Sequence, residues 1–323
     1  MRRVVCHKLG SLDDLAVEDA SPLSPGPGQV VLDVRAAGVN FVDALIVTGG
    51  YQLRPPTPFT PGGEVAGVVA AVGEGVAGLA PGDRALASCW LGGYAEQVVV
   101  AAEAVFPLPE AVGFEAGAAL VQSYATALFA LTRRTRVEEG EWVLVLGAGG
   151  GVGWAAIDVA RSLGARVIGA ASTEAKRAAA REAGAEAAID TSTEDVKSRA
   201  RELSRGGVDV VVDPVGGSLA EPALRALRVG GRYLVIGFAA GEIPRLPLNQ
   251  VLLNNRTLVG IDWGAWMARR PADNRALIED LLQAVAAGSL HPPAPASASL
   301  ERAAEVLADV SSRRVTGKVV LVP

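Results

Sequence analysis

The sequence is short of the side chains that build metal centres, disulfide frameworks and nucleic-acid surfaces. Its 323 residues include two cysteines, Cys6 and Cys89, and two histidines, His7 and His291. Two cysteines cannot make a disulfide framework or a four-thiolate zinc site. They fit a reducing cytoplasm, as small buried residues. Aromatic residues make up 5%, too few for a base-stacking surface, and the net charge of −5 speaks against nucleic acid or an anionic membrane as partner. Lysine is confined to Lys8, Lys176, Lys197 and Lys318, so arginine supplies most positive charge. No apolar run approaches the ~20 residues that span a bilayer. Met1-Arg-Arg-Val-Val-Cys-His-Lys8 meets charge too early for a signal peptide. The expectation is a cytoplasmic protein acting on a small molecule.

Apolar residues, by contrast, are plentiful at 50%, and the length allows one large domain or two ordinary ones. One stretch organises the rest. Glu141-Trp-Val-Leu-Val-Leu-Gly-Ala-Gly-Gly-Gly-Val-Gly153 reads as a buried strand, a glycine turn and a helix start. Trp154 to Leu163 continues with helical spacing. Free N–H groups at such a helix N-terminus favour a pyrophosphate. The candidate contacts are Ala148, Gly149, Gly150, Gly151, Val152 and Gly153. Ala148 stands where the strict fingerprint has its first glycine, so the motif alone is weak and its surroundings decide.

Those surroundings divide the chain. Up to about residue 120 short strands alternate with turns, at Arg3–Lys8, Gln29–Val39, Val65–Val72, Asp83–Ser88 and Tyr94–Val100, which predicts a compact β-rich unit. From 121 to 262 strands and helices alternate. Strands are predicted at Val143–Leu146, Arg166–Ala171, Ala187–Ile189, Val208–Val212, Arg232–Ile236 and Thr257–Ile261. This is the pattern of an α/β, doubly wound parallel sheet built from two mononucleotide-binding halves. After 262 come an amphipathic helix over Asp273–Ala287, a proline-rich loop, a helix over Leu300–Val310 and a strand at Gly317–Val322.

The second of those strands ends Ile168-Gly-Ala-Ala-Ser-Thr173, with no acid to bond ribose hydroxyls. Ser172 and Thr173 offer hydroxyls, and Lys176 and Arg177 follow one turn on. A neutral or basic rim favours a 2′-phosphate, hence NADPH over NADH. The plainer alternative is a helix capped by Ser172 or Thr173 with Lys176 in solvent.

Further motifs add a resemblance. Gly38-Val-Asn-Phe-Val-Asp-Ala-Leu45, Gly50-Tyr51, Pro55-Pro56, Pro58-Phe59 and Pro61-Gly-Gly-Glu-Val-Ala-Gly67 resemble the signature of the quinone oxidoreductases. These form the zinc-independent branch of the medium-chain dehydrogenase/reductase superfamily that includes zeta-crystallin. Pro81-Gly-Asp-Arg84, Gly92-Gly-Tyr-Ala-Glu96, Asp213-Pro-Val-Gly-Gly217, Gly230-Gly-Arg-Tyr233 and Gly317-Lys-Val-Val320 look like further landmarks. The resemblance implies a GroES-like catalytic domain, 1–120 with 263–323, and an inserted Rossmann NADPH-binding domain, 121–262. It also implies a homodimer pairing edge strands near Leu258–Ile261. The superfamily's zinc alcohol dehydrogenases need a Cys where this chain has Asn40 and a His where it has Gly63. Near their third ligand it has Gln122-Ser-Tyr-Ala-Thr126, and their four-cysteine lobe is missing, so no metal is expected.

By the same resemblance Asn40 and Tyr51 face the nicotinamide and substrate and are the catalytic candidates. Tyr51 would bond an anionic oxygen or touch the cofactor ribose, unless it is a rim or core tyrosine. Asn40 would otherwise fix a strand end, and Asp43 would cap the following helix. Thr126 resembles the family threonine near the cofactor phosphate or amide, and Thr191 one near the adenosine. The backbone of Ile236, Gly237, Phe238 and Ala239 should approach the nicotinamide side. Trp263 and Trp266 either wall the substrate cleft or serve packing.

Without zinc no strong Lewis acid polarises an alcohol or simple ketone, so the substrate must already be electrophilic. The leading reading is an NADPH-dependent quinone oxidoreductase. An enone or enoyl-thioester reductase needs nearly the same apparatus. A non-catalytic, crystallin-like NADPH-binding protein is the alternative from another class.

Overall fold

The computed structural model describes residues 1–323, which fall into two compact units. One comprises Met1–Gln122 with Pro293–Pro323, the other Ser123–Pro292.

The first unit opens with an antiparallel pair, β1 (Arg2–Cys6) and β2 (Leu15–Asp19). Then come β3 (Gln29–Val39), α1 (Phe41–Val47), β4 (Glu64–Val72), β5 (Arg84–Ser88), β6 (Gln97–Ala101), β7 (Val105–Pro107) and α2 (Phe114–Ala118). The long β3 organises this unit, pairing antiparallel with both β4 and β6. Val30, Leu32 and Val34 of β3 pack with Val65, Val69, Val98 and Val100 in the core. Strand β6 begins later than the predicted Tyr94–Val100, because the N–H groups of Gly92–Tyr94 bond the carbonyls of Thr60, Pro61 and Gly62 instead, and the buried Tyr94 hydroxyl reaches Asp43.

The second unit begins within α3 (Val121–Leu128). Its alternating part runs β8 (Trp142–Leu146), α4 (Gly151–Ser162), β9 (Arg166–Ala171), α5 (Glu174–Glu182), β10 (Ala187–Asp190), α6 (Val196–Leu203) and β11 (Val208–Asp213). It continues through α7 (Ala220–Ala226), β12 (Leu227–Val235), α8 (Leu248–Leu252), β13 (Thr257–Gly260), α9 (Trp263–Arg269) and α10 (Pro271–Ala286). The six strands form one parallel sheet in the order β10-β9-β8-β11-β12-β13. This is the order of a dinucleotide-binding fold, with its switch point between β8 and β11. Every β11 residue is buried, as expected where helices cover both faces of a parallel sheet. Of its two aspartates, Asp209 accepts a bond from Trp142 N at 2.8 Å and pairs with Arg228.

The chain returns to the first unit with β14 (Ala296–Ser299), α11 (Ala303–Ser311) and β15 (Val319–Val322). Strand β15 pairs with β14 and with β3, extending the first unit's main sheet. The return comes later than the predicted residue 263, since 263–292 belong to the second unit. Buried Trp263 donates its indole N–H to Asn274 Oδ1 at 2.9 Å, and Trp266 stacks on Phe129 with centroids 4.8 Å apart. Helix α10 buries Leu277, Ile278, Leu281 and Leu282. Both tryptophans therefore serve packing inside the second unit.

One buried carboxylate ties the ends of that unit together. Asp158 Oδ2, on α4, accepts bonds from the Tyr124 hydroxyl at 2.9 Å and the His291 backbone N–H at 2.5 Å. The Trp154 indole N–H closes the arrangement on the His291 carbonyl at 3.2 Å.

Candidate functional site

The first unit holds a buried cluster of polar side chains where β3, α1 and β4 meet. Asn40 is the N-cap of α1, a place where an asparagine oxygen ordinarily accepts a bond from the helix's own first turn. Here that oxygen also serves a partner outside the helix. Lys318 Nζ donates to Asn40 Oδ1 at 2.7 Å, and Asn40 Nδ2 donates to Glu64 Oε1 at 2.9 Å. Lys318 Nζ also pairs with Glu64 Oε1 at 2.8 Å, and Gln122 N–H donates to Glu64 Oε2 at 2.8 Å. The backbone N–H of Asn40 is satisfied by Asp43 Oδ2 at 2.8 Å, and the same oxygen accepts the Tyr94 hydroxyl at 2.8 Å. Close approach is possible because residue 38 is glycine. A Cβ there would lie 2.4 Å from Glu64 Oε1 and 2.1 Å from the Ala118 carbonyl oxygen.

Burial dominates the protonation chemistry. It lifts the Asp43 carboxyl to about 6, even though Tyr94 and Asn40 both donate to it. Burial, with Asp43 and Glu64 nearby, pushes the Cys89 thiol up to about 12. The Tyr94 hydroxyl moves well above its ordinary range for the same reasons. At neutral pH the thiol and the phenol therefore keep their protons, which they donate to the Gly62 carbonyl and to Asp43.

Tyr51 follows α1. It is half-buried, with its ring on the apolar group Cys6, Ile46, Val47 and Phe59.

The second unit presents a different kind of site. No side chain caps the first turn of α4, whose N-cap is Gly150. A helix left this way keeps backbone N–H groups for an anion. Gly150 N–H turns back to the Gly147 carbonyl at 3.0 Å, and Ala148 N–H bonds the Ala170 carbonyl at 3.1 Å, so the turn is held against β9. Gly149 lies directly under Lys176: a Cβ added to it would stand 2.4 Å from Lys176 Cβ and 2.8 Å from its Cα. The lysine stem thus starts from the glycine turn.

Most candidates in this unit stand at the carboxyl ends of strands, where open α/β sheets bind ligands. Gly147–Gly153 follow β8, Ser172–Lys176 follow β9, Thr191 follows β10 and Ile236–Ala239 follow β12. Thr126 differs, being buried within α3. Ser172 and Thr173 are exposed, and the Thr173 hydroxyl caps α5 by accepting from Lys176 N–H at 3.4 Å. Arg177 lies 3.0 Å from both Asp190 and Glu174, so its charge is matched. Thr191 N–H bonds the Ala171 carbonyl at 3.2 Å. The loop after β12 bonds back to the end of β11, with Ile236 N–H on the Asp213 carbonyl at 2.9 Å and Ala239 N–H on the Pro214 carbonyl at 3.2 Å.

Several residues in these sites do not stand out in the sequence. Lys318 is there only part of a family landmark, although a lysine heading an apolar strand is a signal in a chain with so few. Asp213 is likewise a landmark. Its Oδ1 accepts from Val215 and Gly216 N–H, both at 2.8 Å, and its Oδ2 from the Tyr233 hydroxyl at 2.5 Å, which fixes the loop beside the switch point. Asp190 simply follows a predicted strand.

Comparison with known proteins agrees with this architecture. Residues 26–110 match the alcohol dehydrogenase GroES-like domain, and residues 151–283 match the zinc-binding dehydrogenase family. The quinone oxidoreductase-like protein 2 homolog of Nematostella vectensis is 38% identical, over 99% of this chain and 88% of that protein. A Pseudomonas syringae quinone oxidoreductase structure superposes with a TM-score of 0.93 at 32% identity, covering 100% of this chain and 99% of the other. An Escherichia coli quinone oxidoreductase complexed with NADPH gives a TM-score of 0.93 at 28% identity, covering 100% of both chains. The chain belongs to the quinone oxidoreductase-like family of the medium-chain dehydrogenase/reductase superfamily, and is an oxidoreductase of that class.

The second of those family descriptions mentions zinc, and the residues here do not fit it. No three His, Cys, Asp or Glu side chains are grouped to hold a metal ion. Glu64 is already paired with Lys318, and the nearby Cys89 thiol, pushed up to about 12, resists becoming a thiolate ligand. The glycine turn does fit a dinucleotide, having an uncapped helix N-terminus and a lysine rising beside it.

Proposed function

We propose that the protein is an NADPH-dependent quinone oxidoreductase that works without zinc. The observation that carries this reading is the Asn40–Glu64–Lys318 cluster, in which Asn40 stands where the superfamily's zinc enzymes need a cysteine and is held by an ion pair instead of a metal. An amide and hydroxyls can steady developing negative charge by hydrogen bonding, but they cannot replace a Lewis acid on an alcohol. Such donors suit an acceptor that is electrophilic before it binds, as a quinone is.

In this reading the turn from Ala148 to Gly153 holds the pyrophosphate through backbone N–H groups. Ser172 and Lys176 receive the 2′-phosphate, with Thr173 at the same rim. Thr191 lies along the adenosine, while Thr126 and the backbone of Ile236–Ala239 serve the nicotinamide side. The bound cofactor supplies a hydride. Asn40 and Tyr51 orient the acceptor and donate hydrogen bonds to its oxygen as charge develops there. The edge strand β13, with Leu258 37% exposed, would pair with a second copy in a homodimer. Light scattering after gel filtration reads that state directly.

The deciding assay measures NADPH oxidation with 1,4-benzoquinone, 9,10-phenanthrenequinone, an enone and crotonyl-CoA in parallel. Quinones turning over fastest supports the proposal. Preference for the enone or crotonyl-CoA moves the protein to reduction of activated double bonds. Tight NADPH binding with no turnover leaves a binding role.

A further inference from the structure

Lys318 is given no step of its own in the function as stated, yet it is one of the few charges buried in the first unit. The sheet puts it there. In the β15–β3 ladder Val319 pairs with Val39 and Val320 with Gly38, so the next step outward sets Lys318 against Asn40. The ammonium reaches both Asn40 Oδ1, at 2.7 Å, and Glu64 Oε1, at 2.8 Å. Because Asn40 Nδ2 donates to the same carboxylate, the amide lies between a cation and an anion. Only one orientation satisfies both. Flipping the amide would set its NH2 against the ammonium and its carbonyl against the carboxylate. The cluster engages the carbonyl and one N–H, leaving the second N–H for a ligand. A chain of bonds ending on a cation also polarises that N–H, making it a stronger donor.

We propose that Lys318 is a positioning residue: with Glu64 it fixes Asn40 as a hydrogen-bond donor, so the ligand atom Asn40 meets is an acceptor oxygen. The proposal rests on the reading of Asn40 as a ligand-facing residue. Carbonyl-type oxygens of a quinone or enone meet the requirement, as does the carboxamide oxygen of a nicotinamide.

A double-mutant cycle tests it, with Asn40→Ala, Lys318→Met and the pair together. Each protein is read by NADPH affinity and by turnover with 1,4-benzoquinone, and its melting temperature is checked. If Lys318 acts through Asn40, each single change lowers at least one readout about tenfold, the scale of one well-placed hydrogen bond. The pair is then no worse than Asn40→Ala within about twofold. Lys318→Arg restores most of the loss. Should Lys318→Met fail to fold, Lys318→Met with Glu64→Gln removes both buried charges and is compared with Glu64→Gln alone. If Lys318→Met costs as much in the Asn40→Ala protein as in wild type, the proposal is overturned, because the lysine would then be merely structural. An Asn40→Ala protein that matches wild type in both readouts overturns it too. If wild type binds NADPH but reduces no quinone or enone, the functional reading fails, while the affinity cycle still decides the role of Lys318.

Discussion

The first unit builds its candidate site from side chains drawn from distant parts of the sequence, with Asn40 after β3, Glu64 on β4 and Lys318 ahead of β15. The second builds its own mostly from the backbone of one stretch, Gly147–Gly153. A backbone site needs few particular side chains, but it needs their absence at Gly149. A side-chain site needs each partner, since removing one leaves another buried without its match. The two should therefore respond differently to substitution, pH and cofactor.

The largest expected effect is on the side-chain site. Lys318→Met strands the Glu64 charge in a buried position and should cost about 3–5 kcal/mol of stability, read from denaturant unfolding. A cost below about 1 kcal/mol would mean that water reaches Glu64 freely, and the contrast between the sites would weaken. Next comes pH. The Asp43 carboxyl is raised from 3.8 to about 6, so the folded state keeps its proton longer than the unfolded chain does. Stability from this group is present below about pH 4 and is lost as pH rises to about 6, a total of about 3 kcal/mol at most. Asp43→Asn should lack that decline, as shown by unfolding free energies at pH 4.5 and 7 for both proteins. Parallel curves would show that Asp43 is ionised throughout.

The backbone site should yield less in stability and more in affinity. Gly149→Ala drives a methyl into Lys176 and should cost about 1–3 kcal/mol while weakening NADPH at least about tenfold. Unchanged affinity would show that the turn opens easily and is no rigid cradle. The smallest effect is the most selective. Ser172→Ala with Lys176→Ala should weaken NADPH about tenfold, near 1.4 kcal/mol, and leave NADH within about twofold. Equal losses for the two cofactors would remove Ser172 and Lys176 from the 2′-phosphate.

The same contrast explains what could be read in advance. Strands Gln29–Val39 and Arg166–Ala171 were legible to the residue, and the glycine turn to within one, because periodicity, glycine and capping chemistry act between near neighbours. The parallel sheet followed from alternation alone. The fate of α10 did not: an apolar face of Leu277, Ile278, Leu281 and Leu282 declares a helix but not which core receives it. Lys318 was harder still, because its meaning depends on the register of β15 on β3, and its partner Asn40 lies 278 positions away. Resemblance led to Asn40 and Gly63. Their electrostatic setting came only from the fold. At the nucleotide rim, Arg177 looked available until Asp190 was placed beside it by the β9–β10 pairing.

Asp158 has a consequence of another kind. The same carboxylate oxygen holds Tyr124 and His291, each within two residues of an end of the second unit. The nucleotide-binding unit thus enters and leaves the chain through one doorway, with a single latch. A module with adjoining ends can be spliced into a host loop, or lifted out and rejoined, without stretching either partner. Asp158 is therefore the contact to keep when such a cassette is moved, with the cuts made at its ends, Ser123 and Pro292.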